Sequence, residues 1–188
     1  MDLTQQGAHE PWREPGSLAS AAQFATPAAQ DPAPALREAL QHALRSLEGL
    51  EAQGSASLWQ AWLRVGCCYR QLHALPEAHS SLRQALRCAR LARRGEALSA
   101  VLCELAENTC DLAEALPETS RDALRQARDK ARDEAFEASK LLLQDEGSTH
   151  AANRLQRLAQ VLARCGDLDD AAAMQCRARL WAAGGTEH

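Results

Sequence analysis

The sequence predicts an all-α protein. Alanine and leucine, both strong helix formers, must supply most of the buried surface, because aromatic residues make up only 4% of the chain. Apolar residues recur three and four positions apart over long stretches, which is the spacing of one helix face. No convincing run of alternating apolar and β-branched residues indicates a strand. These features predict about seven helices built around one core.

Composition divides the chain into three parts. Residues 1–32 combine four prolines with alanine, glutamine, serine and glycine. Such a segment buries too little apolar surface to offset its ordering entropy, so we predict a disordered N-terminal tail there. Residues 33–183 carry the helical periodicity and form the predicted helical-repeat domain. Residues 184–188 are expected to fray.

The first three helices are predicted over residues 34–52, 57–74 and 76–93. The first has leucines at helical spacing, among them Leu40, Leu44 and Leu47, and ends before Gly54. The third begins at Pro76, because a proline at the first helical position needs no N–H donor. It ends before Arg94-Gly95, where glycine suits a left-handed cap.

Four further helices are predicted over residues 97–116, 117–146, 150–164 and 168–183. Pro117 is expected to open the fifth helix, which is long and heavily charged. The loop Gly147-Ser148-Thr149 separates it from the sixth. Gly166-Asp167 forms a tight turn into the seventh.

One hairpin carries a recognisable motif. Its positions are Trp62, Val65, Gly66, Tyr69, Ala78 and Leu82. This run resembles the tetratricopeptide-repeat pattern W-x2-L-G-x2-Y…A-x3-F, in which small residues let two helices approach closely. The last hairpin, from Leu155, matches moderately and the middle one, from Leu102, weakly. Their spacings exceed the roughly 34 residues of the family's repeat, so we interpret the chain as about three divergent repeats.

The resemblance implies antiparallel helical hairpins stacked as a short right-handed solenoid. It also implies a protein–protein interaction module, such as a scaffold, adaptor or escort chaperone, that binds a peptide or helix of a partner in a concave groove. By resemblance, the groove residues are Leu63, Cys67, Arg70, Glu107, Asn153, Gln156, Gln160 and Arg164. Leu63 and Cys67 stand where some members carry the lysine and asparagine that hold a C-terminal carboxylate. Binding of such a carboxylate is therefore not expected.

A row of arginines on the third helix supports an alternative function. Arg83, Arg87, Arg90 and Arg94 fall at i, i+4, i+7 and i+11, so they share one face; we call them the basic stripe. They are either a solvated surface or a docking site for RNA or an acidic partner. The formal net charge of -4 argues against nucleic acid as a main partner.

Catalysis is not expected. The chain has no phosphate-binding glycine loop, no H-E-x-x-H motif and no nucleophile elbow. Adjacent Cys67 and Cys68 point about 100° apart on a helix and make a poor chelating pair, so no metal or cofactor is expected. Small, inert thiols are the simplest interpretation of the cysteines. A redox-sensing Cys88 is the alternative, because neighbouring arginines lower a thiol pKa.

The expected location is the cytoplasm. No apolar stretch approaches the roughly 20 residues that a membrane span needs, and no membrane partner is expected. Seven cysteines without a regular framework favour a reducing compartment. The partner is expected to be another protein, and self-association near Trp181 remains an open alternative.

Overall fold

The computed structural model describes residues 33–117, 119–144 and 149–183, which form seven helices and no strands. The helices are α1 (Ala33–Ala52), α2 (Leu58–Gln71), α3 (Leu75–Ala92), α4 (Gly95–Glu114), α5 (Arg121–Gln144), α6 (Thr149–Cys165) and α7 (Leu168–Ala182). The all-α prediction is confirmed for these residues. Within them, no helix combines the length and the apolar character that crossing a membrane requires. The tails predicted over 1–32 and 184–188 lie outside the described residues.

Three predicted helix boundaries are wrong. The second helix ends at Gln71 and not at Ala74, because the chain turns where His73 adopts φ 58°. Arg93, not Gly95, adopts the left-handed conformation that ends α3, with φ 52° and ψ 31°. Gly95 is instead the first residue of α4. Pro117 does not open α5, which begins at Arg121, because a turn in which Ser120 donates to the Pro117 carbonyl comes first (2.9 Å).

Each helix packs against the next one along the chain, and α4 holds the centre. Besides its chain neighbours α3 and α5, α4 contacts α2 and α6. Thirteen of its twenty residues are buried, so α4 is surrounded on most of its circumference. The helices α2, α4 and α6 therefore form a continuous row, and we call their shared solvent-facing side the α2–α4–α6 face.

The close approach predicted at Gly66 is confirmed. A Cβ atom built on Gly66 would lie 2.7 Å from both Cγ and Cδ2 of Leu82, and 3.4 Å from the Ala78 carbonyl oxygen. Leu82 and Ala78 are fully buried. Glycine is thus required by the contact between α2 and α3, since any side chain would displace a packed neighbour.

Small residues let α5 lie close to α4, the most extensive helix pair in the fold. Ala131, Ala135 and Ala138 are fully buried along one side of α5. In the sequence, mostly small residues at the inward positions of this helix make the middle hairpin a poor match to the repeat pattern. The structure shows the reason for them, because alanines allow two long helices to approach where larger side chains would hold them apart.

Two apolar clusters form the interior. The larger joins α3 to α7 around leucines such as Leu102, Leu105 and Leu158. The smaller cluster contains Leu47 of α1 and Val65 of α2. The first helix therefore depends on a core of its own, with its partner α2 as the only described helix it packs against.

Candidate functional site

Four carboxylates follow one another along one side of α4. They are Glu104, Glu107, Asp111 and Glu114, at positions i, i+3, i+7 and i+10. Residues at this spacing share one side of a helix. Because α4 lies between α2 and α6, its carboxylates run down the middle of the α2–α4–α6 face.

Arginines from both flanking helices meet these carboxylates. From α2, Arg70 contacts Glu107 at 2.7 Å, Glu104 at 3.2 Å and Asp111 at 3.4 Å. From α6, Arg157 contacts Glu107 and Glu104, each at 2.5 Å.

Farther along α6, Arg164 contacts Asp111 at 2.6 Å and Glu114 at 2.7 Å. We call the whole group the ion-pair network. Its members are Arg70, Glu104, Glu107, Asp111, Glu114, Arg157 and Arg164. Four carboxylates and three guanidiniums thus nearly balance in charge, and they connect three helices that are distant in sequence.

Partial burial makes these ion pairs stronger than ordinary surface pairs. The side chains of Glu104 and Glu107 are only 13% and 12% exposed, so water screens them weakly. Burial opposes the charge of Arg157, but its hydrogen bonds to Glu107 and nearby Glu104 outweigh that cost and raise its pKa. The hydrogen bond from Arg164 lowers the pKa of Glu114. Arg157 and Glu114 therefore stay charged at neutral pH.

Three predicted groove residues, Arg70, Glu107 and Arg164, belong to this network. They lie on the same face and are held in ion pairs, Arg70 with Glu107 and Arg164 with Asp111 and Glu114. The sequence analysis missed the other four: Glu104, Asp111, Glu114 and Arg157. A signal was present, because the carboxylates repeat at helical spacing on α4 and Arg157 and Arg164 lie seven residues apart on α6.

Two other predicted groove residues, Leu63 and Cys67, line a cleft between α1 and α2. The cleft has a volume of about 420 Å³ and also contains Ala43, His42 and Ala61. Its exposed lining is mainly apolar. Cys67 is half-buried, and burial raises the pKa of its thiol to about 12. The thiol is therefore a packing group and no nucleophile at neutral pH.

The remaining predicted groove residues, Asn153, Gln156 and Gln160, are exposed on α6 and face clefts formed with α7. Asn153 and Gln156 line a cleft of about 230 Å³, and Gln156 and Gln160 line a second of about 250 Å³. Gln175 of α7 lines both clefts. The rest of their surface is mostly alanine, so carboxamides stand above small apolar side chains.

The eight predicted groove residues thus separate into three neighbouring groups. The apolar cleft lies on the α1 side of the α2–α4–α6 face, the ion-pair network occupies its middle, and the amide clefts lie on its α7 side. Cys67 joins the first group to the second, because Glu104 lies close enough to add to the rise that burial causes in the pKa of its thiol. Asn153 and Gln160 adjoin Arg157 and Arg164 on the surface of α6, which joins the second group to the third.

All four arginines of the basic stripe are exposed, but only Arg83, Arg87 and Arg90 lie on α3. The prediction that Arg94 continues the same helix face is wrong, because α3 ends at the left-handed Arg93 and Arg94 is the extended residue before α4. Arg90 pairs with Glu137 of α5 at 3.6 Å, whereas Arg87 and Arg94 form no ion pair with any described residue. Near these arginines, Leu91 is 85% exposed.

The interpretation of Cys88 as a reactive thiol is wrong, because the pKa of this thiol is raised and not lowered. Burial raises its pKa, and the nearby Arg87 lowers it by less. Exposed arginines point their charges into water, where screening weakens their effect on a neighbouring group. Among the described residues, no three His, Cys, Asp or Glu side chains are grouped so as to hold a metal ion.

Comparison with known proteins gives no match to any family model, and none of the curated proteins is detectably similar to the chain.

Proposed function

We propose that this chain is a protein-interaction module of the tetratricopeptide-repeat kind, which binds a peptide segment or helix of a partner protein along the α2–α4–α6 face. The observation that carries the proposal is that row of alternate helices, with α4 contacting both α2 and α6. In a stack of helical hairpins, the first helix of each hairpin lines the concave side. The close contact of Gly66 with Leu82 and Ala78 supports the proposed relationship to the tetratricopeptide-repeat family, since the family pattern places small residues there.

The charges of the face indicate what kind of ligand it suits. The network pairs its carboxylates with arginines, so a charged ligand gains little from the middle of the face unless it breaks existing ion pairs. Affinity has to come from the two flanks. One offers the apolar cleft at Leu63, and the other offers exposed carboxamides above alanines.

Carboxamides both donate and accept hydrogen bonds, which matches the main chain of an extended peptide. Asn153, Gln156 and Gln160 can therefore hold backbone groups while the alanine-lined clefts receive small apolar side chains. The proposed ligand is an extended or helical segment with apolar anchors and little net charge. A scaffold, adaptor or escort chaperone would use such a site.

A second candidate function rests on the basic stripe. Arg87 and Arg94 stand exposed without an ion pair among the described residues, and Leu91 adds an apolar contact point beside them. An acidic protein segment or RNA would match this surface. Binding there should weaken steeply as salt is raised, because it would depend on exposed charges.

Site-specific photo-cross-linking distinguishes the two. A photo-reactive amino acid is placed at Gln156 in one version of the chain, at Arg87 in another, and at exposed Gln126 of α5 as the control. Each purified protein is irradiated in extract of its source cells, and adducts are identified by mass spectrometry. The proposal expects a defined protein adduct at Gln156 that is absent at Gln126.

The double variant Gln156→Ala/Gln160→Ala completes the test. Both side chains are exposed and outside the ion-pair network, so the fold should keep its melting temperature. Partner binding, measured by titration with the identified protein, should weaken at least tenfold. An adduct only at Arg87, or unchanged affinity in the double variant, would contradict binding along the α2–α4–α6 face.

A further inference from the structure

Two cysteines meet where α4 and α6 pack together. Cys110 is buried in α4, and Cys165 is the half-buried last residue of α6. Cys165 packs against the buried apolar cluster that contains Cys110. Two turns earlier on the same side of α4, the thiol of Cys103 donates to the Arg154 carbonyl of α6 at 3.9 Å, so this side of α4 faces α6. Cys110 and Cys165 are far apart in sequence, and the sequence analysis treated both as isolated thiols.

A neighbouring ion pair holds the two helices at this point. Arg164 contacts Asp111 at 2.6 Å. In the chain, Asp111 directly follows Cys110, and Arg164 directly precedes Cys165. This ion pair therefore holds α4 and α6 side by side next to both cysteines. A disulfide needs its Cα atoms within about 7 Å, a separation that closely packed helices can provide.

The two thiols differ in character. The hydrogen bond from Cys110 lowers the pKa of Cys165, and Arg128 and Arg132 act in the same direction against burial and Asp167. When protonated, the Cys165 thiol donates to the Arg128 carbonyl at 3.5 Å.

The pKa of Cys110 is raised by its hydrogen bond to Cys165, by burial and by Glu114, while Arg164 opposes them. Cys165 is thus the thiol that ionises and meets solvent, and Cys110 stays protonated behind it. Cys67 and Cys103 contrast with this pair, since burial raises the pKa of each to about 12.

We propose that Cys110 and Cys165 form a dithiol–disulfide site that links α4 covalently to α6. The oxidant is a hydroperoxide. The Cys165 thiolate attacks one peroxide oxygen, an S–O bond forms, the O–O bond breaks and the departing oxygen takes up a proton. The Cys110 sulfur then attacks the sulfenic sulfur, an S–S bond forms, and hydroxide leaves with the Cys110 proton as water.

The two thiols together give two electrons to the peroxide, so the reaction balances. Its product would join two helices of the α2–α4–α6 face beneath the Arg164–Asp111 ion pair. Oxidation would thereby fix the distance between α4 and α6 and oppose their separation on unfolding.

The test uses the full chain, reduced and then treated with one equivalent of hydrogen peroxide. Remaining thiols are alkylated, and intact mass and fragment spectra are recorded. We expect a monomer that has lost two hydrogen atoms, with two fewer alkylated cysteines and a Cys110–Cys165 cross-link. Its melting temperature should rise, and dithiothreitol should reverse both changes.

Variants make the assignment specific. Cys165→Ser should abolish the internal cross-link, whereas Cys176→Ser, which removes an exposed cysteine on α7, should behave like wild type. If Cys110→Ser disturbs the buried interface, Cys165→Ser still decides the question because that residue is half-buried at a helix end. A cross-link between another pair, a disulfide-linked dimer, or full alkylation after peroxide would each overturn the proposal.

Discussion

At the scale of single residues, space and backbone geometry decide what each position tolerates. Gly66 and Gly49 both lie inside helices, where alanine is intrinsically preferred over glycine by roughly 0.5–1 kcal/mol. Their surroundings differ. A Cβ atom at Gly49 meets nothing within 4 Å, whereas one at Gly66 meets the buried Leu82 at 2.7 Å.

We therefore expect opposite effects from the same substitution. Gly66→Ala should lower the free energy of unfolding by about 1–3 kcal/mol, because the added methyl overpacks the contact between α2 and α3. Gly49→Ala should raise it by roughly 0.5–1 kcal/mol through helix propensity alone. Urea denaturation measures both. Equal effects of the two substitutions would show that α2 and α3 do not approach so closely at Gly66.

Glu134 is a buried carboxyl whose ionisation works against folding. It is 8% exposed, and Thr109 of α4 donates to its Oε2 at 2.8 Å. Burial raises its pKa above the ordinary value of 4.5, although that hydrogen bond and nearby Lys130 oppose the shift. The folded protein therefore holds a proton at Glu134 that the unfolded chain has already lost as pH rises.

The contribution of protonated Glu134 to stability is present below pH 4.5 and is lost as pH rises through the raised folded-state pKa. Glu134→Gln keeps an acceptor for Thr109 without the charge. Its stability relative to wild type should thus increase from pH 4 to pH 8, as measured by urea denaturation at several pH values. Asp133→Asn, an exposed neighbour on α5, is the control and should show no such trend. A flat difference for Glu134→Gln would contradict the burial of an ionisable carboxyl there.

At the scale of helices, the ion-pair network joins elements that apolar packing alone would leave less well aligned. Arg157 reaches two carboxylates of α4 at once, and Arg70 approaches the same pair from α2. A charged group at this depth contributes mainly through its partners, since an unpaired carboxylate there loses hydration without compensation.

Removing one arginine from the network should therefore be costly. Arg157→Ala is expected to lower the free energy of unfolding by roughly 1–3 kcal/mol, because Glu104 and Glu107 lose hydrogen bonds to a charged donor. Arg154→Ala on the same helix is the control, since the Arg154 side chain forms no ion pair with any described residue. Thermal denaturation compares them. A loss no larger than that of Arg154→Ala would mean that the network is only a set of surface pairs.

At the scale of the whole molecule, stability is distributed unevenly between centre and ends. The central α4 is buried by four other helices. The first helix has only Ala43 and Leu47 buried and packs against α2 through the smaller apolar cluster. Local unfolding free energies follow such differences in burial.

Hydrogen exchange should reveal this gradient. Backbone amides of α4 are expected to exchange most slowly, and those of α1 much faster. Leu47→Ala, which opens a cavity in the small cluster, should accelerate exchange in α1 while leaving α4 protected. Leu105→Ala in the large cluster should accelerate exchange throughout the described helices. Uniform acceleration by Leu47→Ala would show that α1 unfolds together with the rest.

The sequence by itself determined the helical class, the order and approximate bounds of the helices, and the close contact at Gly66. These follow from local propensity, periodicity and small residues within an apolar face, which are properties that neighbouring residues carry. It also placed Arg70, Glu107 and Arg164 on one side of the molecule, where the structure has all three in the ion-pair network. Helix ends were less predictable, because Arg93 takes a conformation that glycine usually supplies.

Only the tertiary structure decided which of these side chains bind one another. Arg157 and Glu104 lie in different hairpins, and no local pattern relates Cys110 of α4 to Cys165 of α6. Ion pairs and thiol contacts depend on distances of a few ångströms between helices, which are set by how the whole core packs. The arrangement of a site across α2, α4 and α6 is therefore a property of the folded chain and cannot be obtained from the periodicity of any single helix.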